Sequence, residues 1–65
     1  MSPVDAATIR EMRMRAGLNQ QEAAALVHRN RASRWHEWET GKCVMPLAEL
    51  ELFLLKTKLH KEYWK

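Results

Sequence analysis

The sequence has 65 residues, a formal net charge of +3 and an apolar share of 46%. This length allows one small domain, the apolar share is too high for a disordered chain, and the scarcity of glycine and proline favours an all-α fold. The positive charge favours a nucleic-acid partner, and no apolar stretch approaches the roughly 20 residues that cross a bilayer.

The first predicted helix covers about residues 5–16. Asp5 is a suitable N-cap, and Ile9 and Met12 recur at helical spacing on one face. Gly17 can then adopt the positive φ that commonly ends a helix. We therefore expect a first amphipathic helix that stops at this glycine.

The second predicted helix covers about residues 20–27 and begins with a capping box. Asn19 is the cap, and Glu22, three residues later, can accept a hydrogen bond from its backbone amide. The alanines that follow are small enough to let another helix approach closely. The polar run over residues 28–31 then predicts a turn.

The third predicted helix covers about residues 32–39 and carries two tryptophans. Trp35 and Trp38 are three positions apart, which places both rings on one side of the helix and predicts that they belong to the core. Thr40 and Gly41 end this helix, again with a glycine at the stop position.

The fourth predicted helix begins near Pro46, which fits a first helical turn. Its residues are apolar almost all round, so it needs more than one surface to bury it. The basic, aromatic segment 56–65 either continues this helix or adds a short last one. The sequence thus predicts a compact bundle of four to five short helices.

The second and third predicted helices, about residues 20–39, have the layout of a helix-turn-helix unit, in which a short turn joins two short helices. The second helix of such a unit enters the major groove of DNA. The predicted base-contacting residues are Arg31, Ser33, Arg34, His36 and Glu37. The predicted phosphate-contacting residues are Gln20, Arg29, Asn30 and Lys42.

The run from Arg13 to Ala24, together with Trp38-Glu39-Thr40-Gly41-Lys42, resembles the Cro/C1-type (XRE) helix-turn-helix family. The resemblance spans about residues 9–55 and implies a λ repressor-like fold. It also implies that Gln20 and Lys42 contact phosphate. Finally, it implies that Arg13 pairs with Glu39, which would tie the first helix to the end of the third.

The turn before the third helix is one residue longer than is usual in that family. The first base-contacting position can therefore be Arg31, Ala32 or Ser33. The run from Trp35 to Pro46 is similar to the autoregulators encoded beside anti-CRISPR genes in phages. That branch implies a repressor of its own anti-CRISPR operon, which binds an inverted repeat in the promoter.

A homodimer is the expected form, with a dimerisation segment at about residues 46–65. The predicted dimer-interface residues are Leu50, Phe53, Leu54, Tyr63 and Trp64. Two-fold symmetry would place the two recognition helices in successive major grooves of a palindromic operator, roughly 34 Å apart. The expected partners are double-stranded DNA and a second copy of the chain.

The sequence leaves one alternative to DNA binding open and argues against several other classes of function. The alternative is an antitoxin or adaptor that binds a protein partner through segment 56–65. No metal-ligand spacing of histidines and cysteines occurs, and Ser33, His36 and Glu37 share one outward helix turn, so we expect no metal, no cofactor, no small-molecule ligand and no enzyme. The first residues lack the pattern of a signal peptide, which predicts a cytoplasmic location, and the resemblance to phage autoregulators implies a bacterial host cell.

Overall fold

The structure is a computed structural model that describes residues 5–63. Within this range the helices are α1 (Ala6–Arg15), α2 (Gln20–Leu26), α3 (Ala32–Thr40), α4 (Leu47–Thr57) and α5 (His60–Tyr63). No strand occurs among the described residues, so the predicted all-α fold is confirmed. The C-terminal segment adds a short separate helix instead of extending α4, because Lys58 takes a left-handed conformation (φ 64°) and interrupts it.

Local signals set the starts of α1 and α2 as the sequence predicts, whereas α4 begins one residue later than predicted. The Asp5 carboxylate accepts from the Thr8 amide at 2.8 Å at the start of α1. At the start of α2, the Asn19 side chain accepts from the Glu22 amide at 2.7 Å, and the Glu22 carboxylate accepts from the Asn19 amide at 3.0 Å. Pro46 lies one residue before α4, as its N-cap, because its ψ of 145° is extended and not helical.

The core is formed by one side of α3 packed against the other helices. The Trp35 ring lies 5.5 Å from the Trp38 ring and 4.8 Å from the Phe53 ring, between centroids. The buried apolar residues are Ile9, Met12, Ala23, Ala24, Val27, Trp35, Trp38, Met45, Leu50, Phe53 and Leu54. Both tryptophans are therefore core residues, as their spacing predicts, and the positions between them along α3 face outward.

Burial in this core contradicts the prediction that three leucine and phenylalanine residues of α4 form the dimer interface. Leu50, Phe53 and Leu54 each have 0% of their surface exposed. A side chain without exposed surface cannot contact a second copy of the folded chain, so these three residues stabilise the monomer. The exposed leucines of α4 are Leu47 and Leu55, at 44% and 56%.

The carboxylate of Glu39 joins the first three helices. Its Oε2 accepts from Arg13 Nε of α1 at 2.6 Å and from the indole Nε1 of Trp35 within α3. Its Oε1 accepts from Gln20 Nε2 of α2 at 3.2 Å and from a second Arg13 nitrogen at 3.3 Å. The Glu39 side chain is only 5% exposed, so all four hydrogen bonds are shielded from bulk water.

Arg13 extends this cluster to the turn between α1 and α2. Its remaining terminal nitrogen donates to the Leu18 carbonyl at 3.0 Å, while the other two nitrogens bind Glu39. Each of the three guanidinium nitrogens thus donates a hydrogen bond, and the Arg13–Glu39 pair that the family resemblance implies is present in the structure. The pair fixes the first helix against the end of α3.

The electrostatics of Glu39 favour the ionised form. Burial by itself would raise its pKa, but hydrogen bonds from Arg13, Trp35 and Gln20 outweigh burial and hold the pKa below its ordinary value of 4.5. A carboxylate whose pKa is lower in the folded than in the unfolded chain stabilises the fold above the unfolded pKa. This stabilisation is lost as the pH falls through the folded pKa.

A second anchor holds the turn between α2 and α3 to α4. Arg29 Nε donates to Glu49 Oε2 at 3.0 Å, and another Arg29 nitrogen donates to Glu49 Oε1. The guanidinium also lies over the Trp38 ring, 5.9 Å from its centroid. In addition, Lys56 Nζ donates to the Leu26 carbonyl at 2.8 Å. The start of α3 is thereby positioned relative to α4.

Replacement of Glu39 with glutamine should destabilise the fold strongly. The substitution keeps the size of the side chain but leaves the Arg13 charge unpaired and places an amide donor among other donors. We expect the free energy of unfolding in urea to fall by about 3 kcal/mol at neutral pH. Glu51→Gln, at an exposed position of α4 with no ion pair within residues 5–63, is the matched control and should change it by less than about 0.5 kcal/mol.

The same pair of proteins should differ in a pH-dependent way. The stability gap between wild type and Glu39→Gln should be full above about pH 5 and should shrink as the pH falls below 4.5. Asp5, whose pKa is lowered by the Thr8 amide, is present in both proteins and cancels in the comparison. A gap that stays constant down to about pH 3 would contradict the assigned role of the Glu39 charge.

Candidate nucleic-acid interface

The outer face of α3 carries most of the predicted base-contacting residues. Because Trp35 and Trp38 occupy the inner side, Ser33, Arg34 and His36 are exposed, and Glu37 is half-buried beside them. These positions lie within the first two turns of a nine-residue helix. The helix therefore presents polar side chains on one face while its opposite face is fixed in the core.

A shallow groove runs along this face and gathers residues from α2, α3 and the loop that follows α3. Its lining residues are Gln20, Ala32, Ser33, His36, Glu37, Thr40 and Lys42. Five of the predicted DNA-contacting residues thus meet in one place, although they span more than twenty positions of the sequence. Thr40 also lines this groove, although nothing in the sequence indicated that it would.

The groove is flanked by exposed positive charge. Arg34 lies 3.3 Å and Lys42 3.7 Å from the Glu37 carboxylate, and their side chains are 50% and 74% exposed. Exposed ion pairs contribute little stability, so both cations can exchange the Glu37 carboxylate for another anion at small cost. Glu37 holds the two cations at the groove in the free protein.

The remaining predicted site residues lie around the turn between α2 and α3. Asn30 and Arg31 are exposed, and α3 begins at Ala32, so Arg31 precedes the helix as its N-cap residue. His28, also in this turn, has a positive φ of 62°, a conformation in which glycine is more common. The longer turn therefore ends with Arg31 outside the helix and with Ala32 and Ser33 in its first turn.

The structure assigns different contacts to two predicted phosphate ligands. Arg29 binds Glu49 through two of its nitrogens and covers Trp38, so it serves as an anchor of the fold. The sequence did not indicate this ion pair, because Glu49 lies twenty residues away from Arg29 along the chain. The Gln20 amide nitrogen donates to Glu39 at 3.2 Å and lies 3.4 Å from His36 Nδ1. Among the predicted phosphate ligands, Asn30 is exposed, and Lys42 is held only by its exposed pair with Glu37, so both can turn to a phosphate.

The described part of the C-terminal segment is held on α1. The Tyr63 hydroxyl donates to Glu11 Oε2 at 3.0 Å, and Arg15 contacts both Tyr63 and Glu62. The predicted interface residue Tyr63 is therefore half-buried against its own chain. Trp64, predicted for the same interface, lies outside the described residues.

Metal ligands and membrane-spanning helices are two further features that define the class of a site. No group of three or more histidine, cysteine, aspartate or glutamate side chains in this range is placed to hold a metal ion. None of the helices formed by these residues is long and apolar enough to cross a membrane. The groove along α3 is the place where the predicted functional residues meet.

Comparison with known proteins identifies the fold family. A family model described as a helix-turn-helix domain matches residues 6–55, from the first residue of α1 to near the end of α4. Comparison with curated proteins and with solved structures found no match. Because the match covers most of the chain and includes both helices of the unit, the chain belongs to the helix-turn-helix domain family, which indicates a DNA-binding regulator.

Proposed function

We propose that the chain is a sequence-specific DNA-binding transcriptional repressor that acts as a homodimer on an inverted-repeat operator. The observation that supports this most directly is the outer face of α3, where Ser33, Arg34 and His36 are exposed and Lys42 lies beside them. The inner side of the same helix is fixed by Trp35, Trp38 and Glu39. A surface held in place before binding loses little entropy on binding, which favours affinity.

The side chains on this face suit distinct contacts with DNA. Arg34 can donate two hydrogen bonds to guanine, and Ser33 can donate or accept at a base edge. The Glu37 carboxylate can accept from the amino group of cytosine once its two cations have turned to phosphate. Asn30, Arg31 and Lys42 lie at the two ends of α3, where they can contact the phosphates on either side of the groove.

The homodimer is proposed from symmetry and from exposed apolar surface. Leu47 and Leu55 are eight positions apart on α4, so they lie on one face of that helix, and Val44 just before it is 70% exposed. A contiguous apolar patch favours contact with a second copy, and these exposed side chains are the ones that can contribute to it. A two-fold dimer would bind a palindromic operator and block access of the polymerase to the promoter.

The regulated gene is proposed from the resemblance of the run from Trp35 to Pro46 to autoregulators of anti-CRISPR operons. Under this proposal the operator lies in the promoter of the operon that contains the gene of the repressor. The alternative, an antitoxin or adaptor with a protein-binding tail, has less support. The described part of that tail is occupied by contacts with α1, through Tyr63 and Glu62.

Binding of DNA should depend on salt and on single residues of α3. We expect affinity for a duplex selected from a random pool to fall steeply with salt, by counterion release. Arg34→Ala should relax the preference at one base pair by about 1–3 kcal/mol. Lys42→Ala should weaken all duplexes similarly and reduce the salt slope by about 1 per chain. Fluorescence anisotropy at several salt concentrations measures each effect.

Arg10→Ala is the matched control for this experiment. Arg10 is an exposed cation of α1 that does not line the groove along α3, and it forms no ion pair within residues 5–63. Arg10→Ala should leave the base preference unchanged and should reduce the affinity for DNA only slightly. If Arg10→Ala and Lys42→Ala weaken binding equally, the interaction reflects net charge alone, and the α3 surface is not the interface.

Repression should be visible in cells with a reporter gene placed behind the promoter of the chain's own operon. Wild-type protein should lower the reporter signal, Arg34→Ala should restore it, and Arg10→Ala should repress like wild type. Sedimentation with the purified operator duplex should show two chains per duplex. Binding with two chains but no change of the reporter would overturn the repressor role while leaving DNA binding intact.

A further inference from the structure

Three polar groups form a chain from the buried cluster to the exposed face of α3. Glu39 Oε1 accepts from Gln20 Nε2 at 3.2 Å, and the same nitrogen lies 3.4 Å from Nδ1 of His36. An ionised carboxylate can only accept hydrogen bonds, so the nitrogen end of the Gln20 amide must face Glu39. The low pKa of Glu39 keeps this constraint in force at neutral pH.

The second hydrogen of the Gln20 amide nitrogen is then directed to His36. A neutral imidazole carries its proton on one ring nitrogen, and the other nitrogen accepts. Only an unprotonated Nδ1 can accept from Gln20, because a proton there would set one N–H against another. We infer that Gln20 is a positioning residue that holds His36 in the tautomer protonated at Nε2.

The fixed tautomer gives His36 a defined preference among bases, provided that α3 binds the major groove as proposed above. Its Nε2–H is a donor on an exposed residue of the recognition helix. In the major groove, guanine presents the acceptors O6 and N7, thymine the acceptor O4 and adenine the acceptor N7 beside its amino group, whereas cytosine presents only an amino donor. The Gln20–His36 contact therefore makes His36 a donor that disfavours cytosine at one position of each half-site.

The tautomer can be measured directly in the free protein by ¹⁵N NMR of the histidine side chains. At about pH 8, where imidazole rings are neutral, His36 should show an unprotonated Nδ1 and a protonated Nε2 as a single dominant form. His28 is an internal reference, because it is exposed and forms no side-chain hydrogen bond within residues 5–63. Gln20→Leu, which keeps the side-chain volume but removes the amide, should move His36 toward the tautomer mixture of His28.

Two outcomes of this measurement would overturn the inference. One is a His36 protonated at Nδ1 in the wild-type protein, a result that does not depend on any variant. The other is a Gln20→Leu protein that is folded, by circular dichroism, and has an unchanged tautomer ratio. The measurement uses no DNA, so it separates this inference from the proposed function.

The base preference is tested by selection from random duplexes. His36→Ala should flatten one position of the selected site, where wild type should disfavour cytosine by roughly 2- to 12-fold, as expected for one hydrogen bond. A wild-type preference for cytosine, or no flattened position, would overturn this base preference. Failure to bind any duplex would overturn the proposed function together with this preference.

Discussion

The fold and the proposed binding surface both depend on one buried carboxylate. An ionised carboxylate that is only 5% exposed must have its oxygens satisfied by protein donors, since an unpaired buried charge is very costly. Glu39 meets this requirement with donors from three helices: Arg13 of α1, Gln20 of α2 and Trp35 of α3. The three helices therefore have to pack together in one arrangement, because each contributes a partner that the others cannot replace.

This constraint also explains why the outer face of α3 is well defined. The carboxylate and the indole rings of Trp35 and Trp38 lie on the inner side of the helix, which fixes its rotation about its own axis. The contact of Arg29 with Glu49 fixes the turn at its start. By contrast, the groups proposed to contact phosphate, such as Lys42, remain exposed and weakly paired. A helix fixed in the core with exposed cations at its edge suits a surface that recognises base edges and contacts the phosphate backbone.

Gln20 links the buried cluster to the surface. It binds Glu39 on one side and contacts His36 on the other, so the charge state of a core residue determines the hydrogen bond that an exposed residue can make. Family resemblance implied a phosphate contact for Gln20. The structure instead gives its amide nitrogen two partners within the chain, Glu39 and His36, which makes it a support for a side chain that we propose contacts a base.

Local patterns predicted much of the fold, and long-range contacts limited the rest. The capping box of Asn19 and Glu22 and the spacing of Trp35 and Trp38 involve residues within a helical turn, so the sequence displays them directly. The side of α4 that is buried could not be predicted, because an almost uniformly apolar helix does not show which face its neighbours cover. Leu50, Phe53 and Leu54 were therefore assigned to an interface when they belong to the core.

We propose that α3 binds DNA through its outer face while the Glu39 cluster keeps the helix in place. Titration of the ¹⁵N-labelled protein with a selected duplex, followed by amide and indole NMR signals, measures both parts of this proposal at once. The amide signals of Ser33, Arg34, His36 and Lys42 should shift strongly, and the signal of the Trp35 indole N–H, which is bound to Glu39, should keep its position. Shifts centred on α1 and α5, or loss of the Trp35 indole signal on binding, would contradict it.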